Sequence, residues 1–444
     1  MELAPVHGES WQSFLSQLSK NNPILAEHLR CWQNASLADY SNYIWNGADR
    51  RHSHQVSPRF LKVIDTLGLA NSEILKSTLT RSPVVLSAHH TAPALHPIAW
   101  QTLLVANAAR NKQHLIPVLS SDWIPMDNLF YPRGLLLPSA HGLRKFNIFP
   151  KACNKKCVSE ITAYTRKDVD KLRLELDCAA TKKEITERHR EMYISLIDEY
   201  FCLDSILEQK SYKQQSSQIN LHLCRDAFPD QRFEFINISE IAITLLIDVL
   251  QDTSSLLHNI LFNTESCRCF VSLLDGESGC WNIAKGRGSI LFWQLQSQKM
   301  YPLLGFNGNT LFNDVYSQHL SASELVLALR EKRVIPGMAV VFVLLMFECG
   351  LACVGGMRQI AYNSAVKHAM EKVVTRYMPE YLDSLDVPVD FFAAGMYASV
   401  DRALKPTTVI ETLFQPEKIN TDYVNVSVQD AVLLARETIL SLSG

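Results

Sequence analysis

Charge imbalance is nearly absent from this chain. Its 43 Lys and Arg stand against 45 Asp and Glu, and a net charge of −2 creates no global field toward nucleic acid or an anionic membrane. Any polyanion must therefore be met by a local site. Cysteine is sparse, with eleven in 444 residues. That is too few for a disulfide-stapled scaffold, the odd count leaves at least one thiol unpaired, and a reducing, cytoplasmic compartment is expected. Low-complexity tracts and internal repeats are missing, and Met1–Glu9 has no basic patch followed by an apolar core, so a secretory signal is not expected. A full membrane span is missing too. Val334 to Val354 comes nearest, with Glu348 as its single charge, but Pro336 and Gly350 interrupt it, and Gly355 and Gly356 follow it. That stretch predicts a buried helix passing into a buried strand. Gly276, Gly279, Gly286 and Gly288 fit neither a Walker loop nor a dinucleotide fingerprint.

What is present is apolar: 47% hydrophobic residues against 20% charged ones predict a sizeable core in more than one lobe. Residues 10–80 read as a helical layer, with Trp11, Phe14, Leu15 and Leu18, then Phe60, Val63, Ile64 and Leu67, at helical spacing. Val84–Ser87 is a short β-prone run. Pro97 suits a first helical turn that runs on to about Arg110, and Leu115–Leu119 is a second strand. Strand, loop, helix and strand over so short a stretch predict a βαβ unit with parallel strands. Leu135–Lys156 reads as irregular and basic, and 160–210 as a charged helical arm. Ile238–Leu257 reads as one apolar helix, with Phe270–Leu274 and Ser289–Trp293 as strands. The expected class is α/β: a Rossmann-like parallel-sheet core with an N-terminal helical layer and an inserted helical arm. Its expected divisions are 1–80, 81–158, 159–260 (the helical insertion) and 261–444.

Three constellations could carry chemistry. His89, His90 and His96 lie between a strand end and a helix start, where helix N–H groups and the helix dipole favour an anion and where an imidazole exchanges protons near neutral pH. Asp122 and Asp127 follow the next strand, placed to orient an amine, a ribose hydroxyl or Mg²⁺. Gly355 and Gly356 allow close backbone approach, with Arg358 beside them as a bidentate anion clamp. For each, an ordinary cap, turn or core role is the competing reading. Cys153 and Cys157 with Cys267 and Cys269 have spacings less specific than paired CxxC motifs, so zinc is not the expectation.

Val84–His90 with His96–Pro97, then Ile116–Leu119, then Leu320 through Val354–Tyr362 carry a resemblance over about a third of the chain. In that order they are similar to the valine-rich strand with its Thr-Gly-Gln-Gln loop, the strand before an acidic motif, and the C-terminal Gly-Pro-Gly-Glu-Ile-Ala-Tyr stretch of the cysteine-adding ligase family of bacillithiol biosynthesis. His89 and His90 stand where that family has glutamines, and Met357, Arg358 and Gln359 where it has Pro, Gly and Glu. The resemblance implies a Rossmann-like core related to class I aminoacyl-tRNA synthetases and a ligase joining an amino acid to a small acceptor. On that reading His89, His90, His96 and Asp122 are catalytic, and Ser87, Thr91, Gly355 and Gly356 contact ATP or another adenine nucleotide with its Mg²⁺. Asp127, Arg358 and Tyr362 then bind substrate. Small molecules are the expected partners, nucleic acid and membrane are not, and a homodimer is left open. The rival expectations are a metal-dependent hydrolase or oxygenase using the histidines with Asp122, and a non-catalytic partner protein.

Overall fold

The computed structural model describes residues 10–51, 55–109, 115–139, 142–277, 280–401, 404–416 and 422–443. Met1–Glu9, Gly279 and the predicted helix end at Arg110 lie outside the described residues.

At the centre is a five-stranded parallel sheet built from β1 (Val84–Leu86), β2 (Ile116–Ser120), β3 (Phe233–Asn237), β4 (Ala352–Gly356) and β5 (Phe392–Ala394). Their spatial order is 5-4-1-2-3. Read from the other edge this is 3-2-1-4-5, the order of doubly wound nucleotide-binding sheets, in which the chain reverses direction between β1 and β4. Side chains alternate across the sheet. Val84, Leu86, Ile116, Val118, Phe235 and Val354 enter one core, whereas Val85, Leu119, Ile236 and Cys353 enter the other. With both faces covered, every residue of β1 and β2 is buried, which is why these strands read as continuous apolar runs.

The first core joins the N-terminal helices Trp11–Asn21, Pro23–Trp32 and Leu37–Arg51 to the helices of 166–227. It also takes in α1 (Pro97–Asn107), which is buried along its whole length, and α2 (Tyr212–Ala227). The second core is formed by Pro58–Thr66, Ser72–Arg81, α3 (Ile238–Gln251) and α4 (Gln359–Tyr377). The 334–354 stretch is a buried helix, Met338–Phe342 continuing as a π-helical turn to Glu348, that passes into β4. Among the described residues no single helix is long and apolar enough to cross a membrane. Ile238–Gln251 and Leu256–Phe262 together have the length, but they meet at 74° and pack in the second core.

Several expectations are corrected. Phe270–Leu274 is the end of a helix, Thr264–Leu274, not a strand. Asn263 caps it by accepting from Glu265 N and Ser266 N, and Cys267, Phe270 and Leu274 form its buried stripe. Leu135–Lys156 is not irregular at its start, because Gly134–Ser139 and Gly142–Asn147 pair as an antiparallel hairpin. The strand expected at Ser289–Trp293 lies at Phe292–Gln296. The 159–260 stretch, expected as a helical insertion, also supplies the edge strand β3.

Glycine in β4 answers to packing. A Cβ on Gly355 would come within 2.5 Å of Gln359 Cβ, while one on Gly356 would meet only Ala394 Cβ, at 3.5 Å. Gly355→Ala is therefore expected to destabilise the protein by roughly 1–3 kcal/mol, the cost of overpacking, and Gly356→Ala by much less. Denaturant midpoints of the two variants check this contrast.

Candidate active site

The loop from Ser87 to His96 leaves β1 at the carboxyl end of the sheet, where open α/β sheets bind ligands. Its first residues keep the sheet's pairing. Ser121 N donates to His89 O at 2.9 Å, and Thr91 N donates to Ser121 O at 2.9 Å. From α2, the Asn220 side chain then holds the loop at three points. Its Oδ1 accepts from Ala94 N (2.8 Å), and its Nδ2 donates to Ala92 O (2.9 Å) and to His89 Nε2 (3.2 Å).

These contacts assign the imidazole protons. Asn220 Nδ2 is a donor, so His89 Nε2 carries a lone pair and its proton sits on Nδ1. Asn128 Oδ1 already accepts from Phe130 N (3.3 Å), so the 2.8 Å contact to His90 Nδ1 requires that nitrogen to donate, leaving Nε2 as the acceptor. His96 is the N-cap of α1, and its Nδ1 accepts from Ile98 N at 3.1 Å. Its proton is therefore on Nε2. His90 presents a lone pair and His96 an N–H, and both rings meet the Phe130 ring edge-on, at 4.9 and 5.0 Å between centroids. Burial is the main reason all three stay neutral. It holds His89 down to about 3 and His96 down to about 4, with His90 adding to both shifts, and it lowers His90 against the pull of Asn128.

The first turn of α1 is poor in free donors. Pro97 has no N–H and that of Ile98 is used by His96, so the helix end offers little of the N–H cradle that phosphates use. The crevice between β1 and β4 is likewise bridged: Gln359 Nε2 donates to Ser87 Oγ (2.6 Å), which donates to Val354 O (3.1 Å). Ser87 and Gly355 are thus brought together by Gln359. Thr91 turns away to Asn237 Oδ1, at 3.0 Å.

Asp122 is fully buried. Ser239 N donates to its Oδ1 at 3.0 Å and Ser239 Oγ to its Oδ2, while Lys213 Nζ lies 3.6 Å from Oδ2 and 3.6 Å from Glu240. It anchors the start of α3, where a carboxylate also suits the helix dipole. Burial pushes the Asp122 carboxyl up, against the pull of Lys213 and the Ser239 donors. Asp127 and Tyr362 make their side-chain contacts elsewhere. Asp127 pairs with Lys155 at 3.0 Å. Arg358 is exposed at the start of α4, and Tyr362 packs against Trp281 and Phe342 beside the second core. Cys157 is buried beside the Asp122 carbonyl, and Cys267 sits in the second core. Burial pushes both thiols up to about 12. Cys153 packs against the first core and Cys269 against the second. Among the described residues no three His, Cys, Asp or Glu side chains gather closely enough to hold a metal ion.

A cavity of about 640 Å³ opens at the start of α1. His96 forms part of its wall, with Leu143 of the hairpin, Met192 and Tyr193 of helix Glu187–Tyr200, and Lys405 and Glu411. It is the size of a small-molecule site, mostly apolar with a few polar groups. Glu411 is occupied in capping its own helix through Thr408, and Tyr193 donates from its hydroxyl to Pro138 O. These wall residues carry no motif and were not legible in the sequence. Lys213, Ser216, Ser217 and Asn220 stand at helical spacing on α2, where Ser216, Ser217 and Asn220 are buried polar positions.

The neutral imidazoles make the fold acid-labile. Below about pH 6.5 the unfolded chain takes up protons at His89 and His96 that the folded chain refuses down to about 3 and about 4. Their contribution is complete above pH 6.5 and is lost as the pH falls toward 4. His96→Asn keeps a capping side chain, so its stability at pH 7.5 is expected to match wild type, with a loss between pH 6.5 and 4 smaller by roughly 2–3 kcal/mol. Urea midpoints across that range measure it.

Compared with known proteins, the chain matches no family model, no curated protein and no solved structure.

Proposed function

We propose that this protein is an enzyme forming an amide or related acyl bond between an amino acid and a small carboxyl-bearing acceptor, with the substrates in the cavity beside α1. One observation carries the reading. A neutral imidazole with its proton on Nε2, that of His96, forms part of the cavity wall at the carboxyl end of a parallel sheet ordered 3-2-1-4-5. The resemblance over β1, β2 and β4 supports the reaction class.

In such a step an amine attacks the carbonyl carbon of a thioester, the carbonyl oxygen gains negative charge, the amine loses a proton, and collapse breaks the carbon–sulfur bond, the thiolate leaving with that proton. His96 Nε2–H is the donor for the oxygen, and the lone pair on His90 Nε2, which shares the Phe130 ring with His96 but is not part of the cavity wall, is the acceptor assigned to the proton. Asn128 and Ile98 hold the two tautomers in place. The bridged crevice and the donor-poor first turn of α1 do not fit a phosphate cradle, so the role assigned to this site is acyl transfer itself and not activation by ATP and Mg²⁺.

The test supplies a panel of amino acids with small acids presented as thioesters, or as free acids with ATP and Mg²⁺, and reads products by mass spectrometry. Thioester-dependent amide formation is expected, with His96→Asn, whose shorter amide caps the helix but does not reach the Nε2 position, lowering the rate by about 10²-fold at unchanged thermal stability, the usual effect of losing one oxyanion donor. Equal rates in wild type and His96→Asn would remove His96 from the chemistry, and no product from any pairing would sink the ligase reading.

A further inference from the structure

A second concave site lies in the N-terminal helical layer and stands independently of the reading above. It is a groove of about 720 Å³ lined by Pro23, Ile24, Cys31, Trp32 and Tyr43, with His28, Glu27 and Asp390 as its titratable groups. No Lys or Arg is among the described residues of its wall. Arg30, next to it in the chain, is paired with Glu27.

Protons can be traced through its floor. Tyr40 OH lies 2.7 Å from Phe392 O and 2.7 Å from His28 Nε2. The carbonyl can only accept, so the single hydroxyl proton goes to it, and His28 Nε2 must be the donor to the Tyr40 oxygen. A neutral His28 then has its lone pair on Nδ1, and that atom lies 3.9 Å from Asp390 Oδ2. Two acceptors thus face one another, and among the described residues no side-chain donor bonds either of them. His28 is 7% exposed, and burial pushes it below the ordinary imidazole range against the pull of Asp390, which favours the neutral ring. The Trp32 and Tyr43 rings, 4.2 Å apart, line the same groove and give it an aromatic wall.

Two facing acceptors, a carboxylate and aromatic faces are complementary to one chemistry: a positively charged nitrogen that carries N–H groups on an organic body. We infer that this groove binds a small organic cation, a primary ammonium or a guanidinium, whose N–H groups bridge His28 Nδ1 and Asp390 while its apolar part lies against Trp32 and Tyr43.

Fluorescence titration of the full chain with benzylammonium and with guanidinium, supported by calorimetry, tests this. Saturable benzylammonium binding with a dissociation constant on the order of 0.1–1 mM is expected, with benzyl alcohol at least tenfold weaker. Tetramethylammonium, which has charge but no N–H, is expected to be weaker than benzylammonium. Asp390→Asn, at a half-exposed position, and Trp32→Phe should each weaken benzylammonium about tenfold or more without lowering the melting temperature. The inference is overturned if neither cation binds saturably, if benzyl alcohol binds as well as benzylammonium, or if Asp390→Asn leaves affinity unchanged. It is equally overturned if nitrogen NMR shows His28 doubly protonated at neutral pH, since an imidazolium–carboxylate pair would then close the gap.

Discussion

One buried amide sets the geometry on which the candidate site depends. Asn220 reaches from α2 across to the loop after β1 and satisfies a backbone N–H, a backbone C=O and an imidazole with one side chain. A loop at this depth carries polar backbone groups that water does not reach, and each left unpaired would cost about 1–3 kcal/mol. With Ala92 and Ala94 held by Asn220, and His89 and Thr91 paired to Ser121, the loop has one arrangement. That arrangement delivers His96 to the start of α1 as its cap and His90 to Asn128 and Phe130. His89 is thereby the positioning member of the three, and His90 and His96 are the pair with complementary proton placement.

Neutrality is the second constraint, and it follows from the first. Holding the loop under α2 and Phe130 removes the imidazoles from water, and burial then outweighs every favourable contact in setting their charge. A cationic histidine at a helix N-terminus would also oppose the helix dipole, and protonated Nδ1 of His96 could not accept from Ile98 N. Cap and charge state therefore reinforce one another. The site is suited to directional hydrogen bonding and proton exchange rather than to the bulk neutralisation of a polyanion.

How much of this was legible follows from how local each signal is. The βαβ start was readable because both strands are buried on both faces and because Pro97 marks a first turn, two properties decided within a few residues. β3 and β5 were not, since Phe233–Asn237 follows a helix in a stretch dominated by helical spacing, and Phe392–Ala394 is three residues long and pairs only with β4. The FVSLL run of Phe270–Leu274 has strong β propensity, yet it lies on a helix because Asn263 caps the start and Cys267, Phe270 and Leu274 find one apolar neighbour surface. The hairpin at 134–147 was hidden by Pro138 and by Arg144 and Lys145 in its strands. Within the site the three histidines were visible by their crowding. The tautomers of His89 and His90 were not, because they are set by Asn220 and Asn128, which lie 131 and 38 residues away in sequence, whereas that of His96 is set by Ile98 within its own helix turn.

The two sequence features that most suggested phosphate binding are both used internally, and this changes what they mean. A helix opening after a buried strand usually offers its first N–H groups to an anion, but here proline and an imidazole cap withdraw two of them. Paired glycines after a strand usually let a ligand approach the backbone. Here the space above Gly355 is filled by the Gln359 stem, whose amide runs on to Ser87 and bridges the crevice. Strand order is a property of the whole chain and persists through such changes, whereas a binding crevice depends on a few side chains and is lost when two of them bond each other. The cavity is lined instead by the start of α1, the hairpin, helix Glu187–Tyr200 and residues from 397–401, 405–415 and 438–441. Ligand recognition there is consequently set by elements that the parallel sheet positions but does not itself contain.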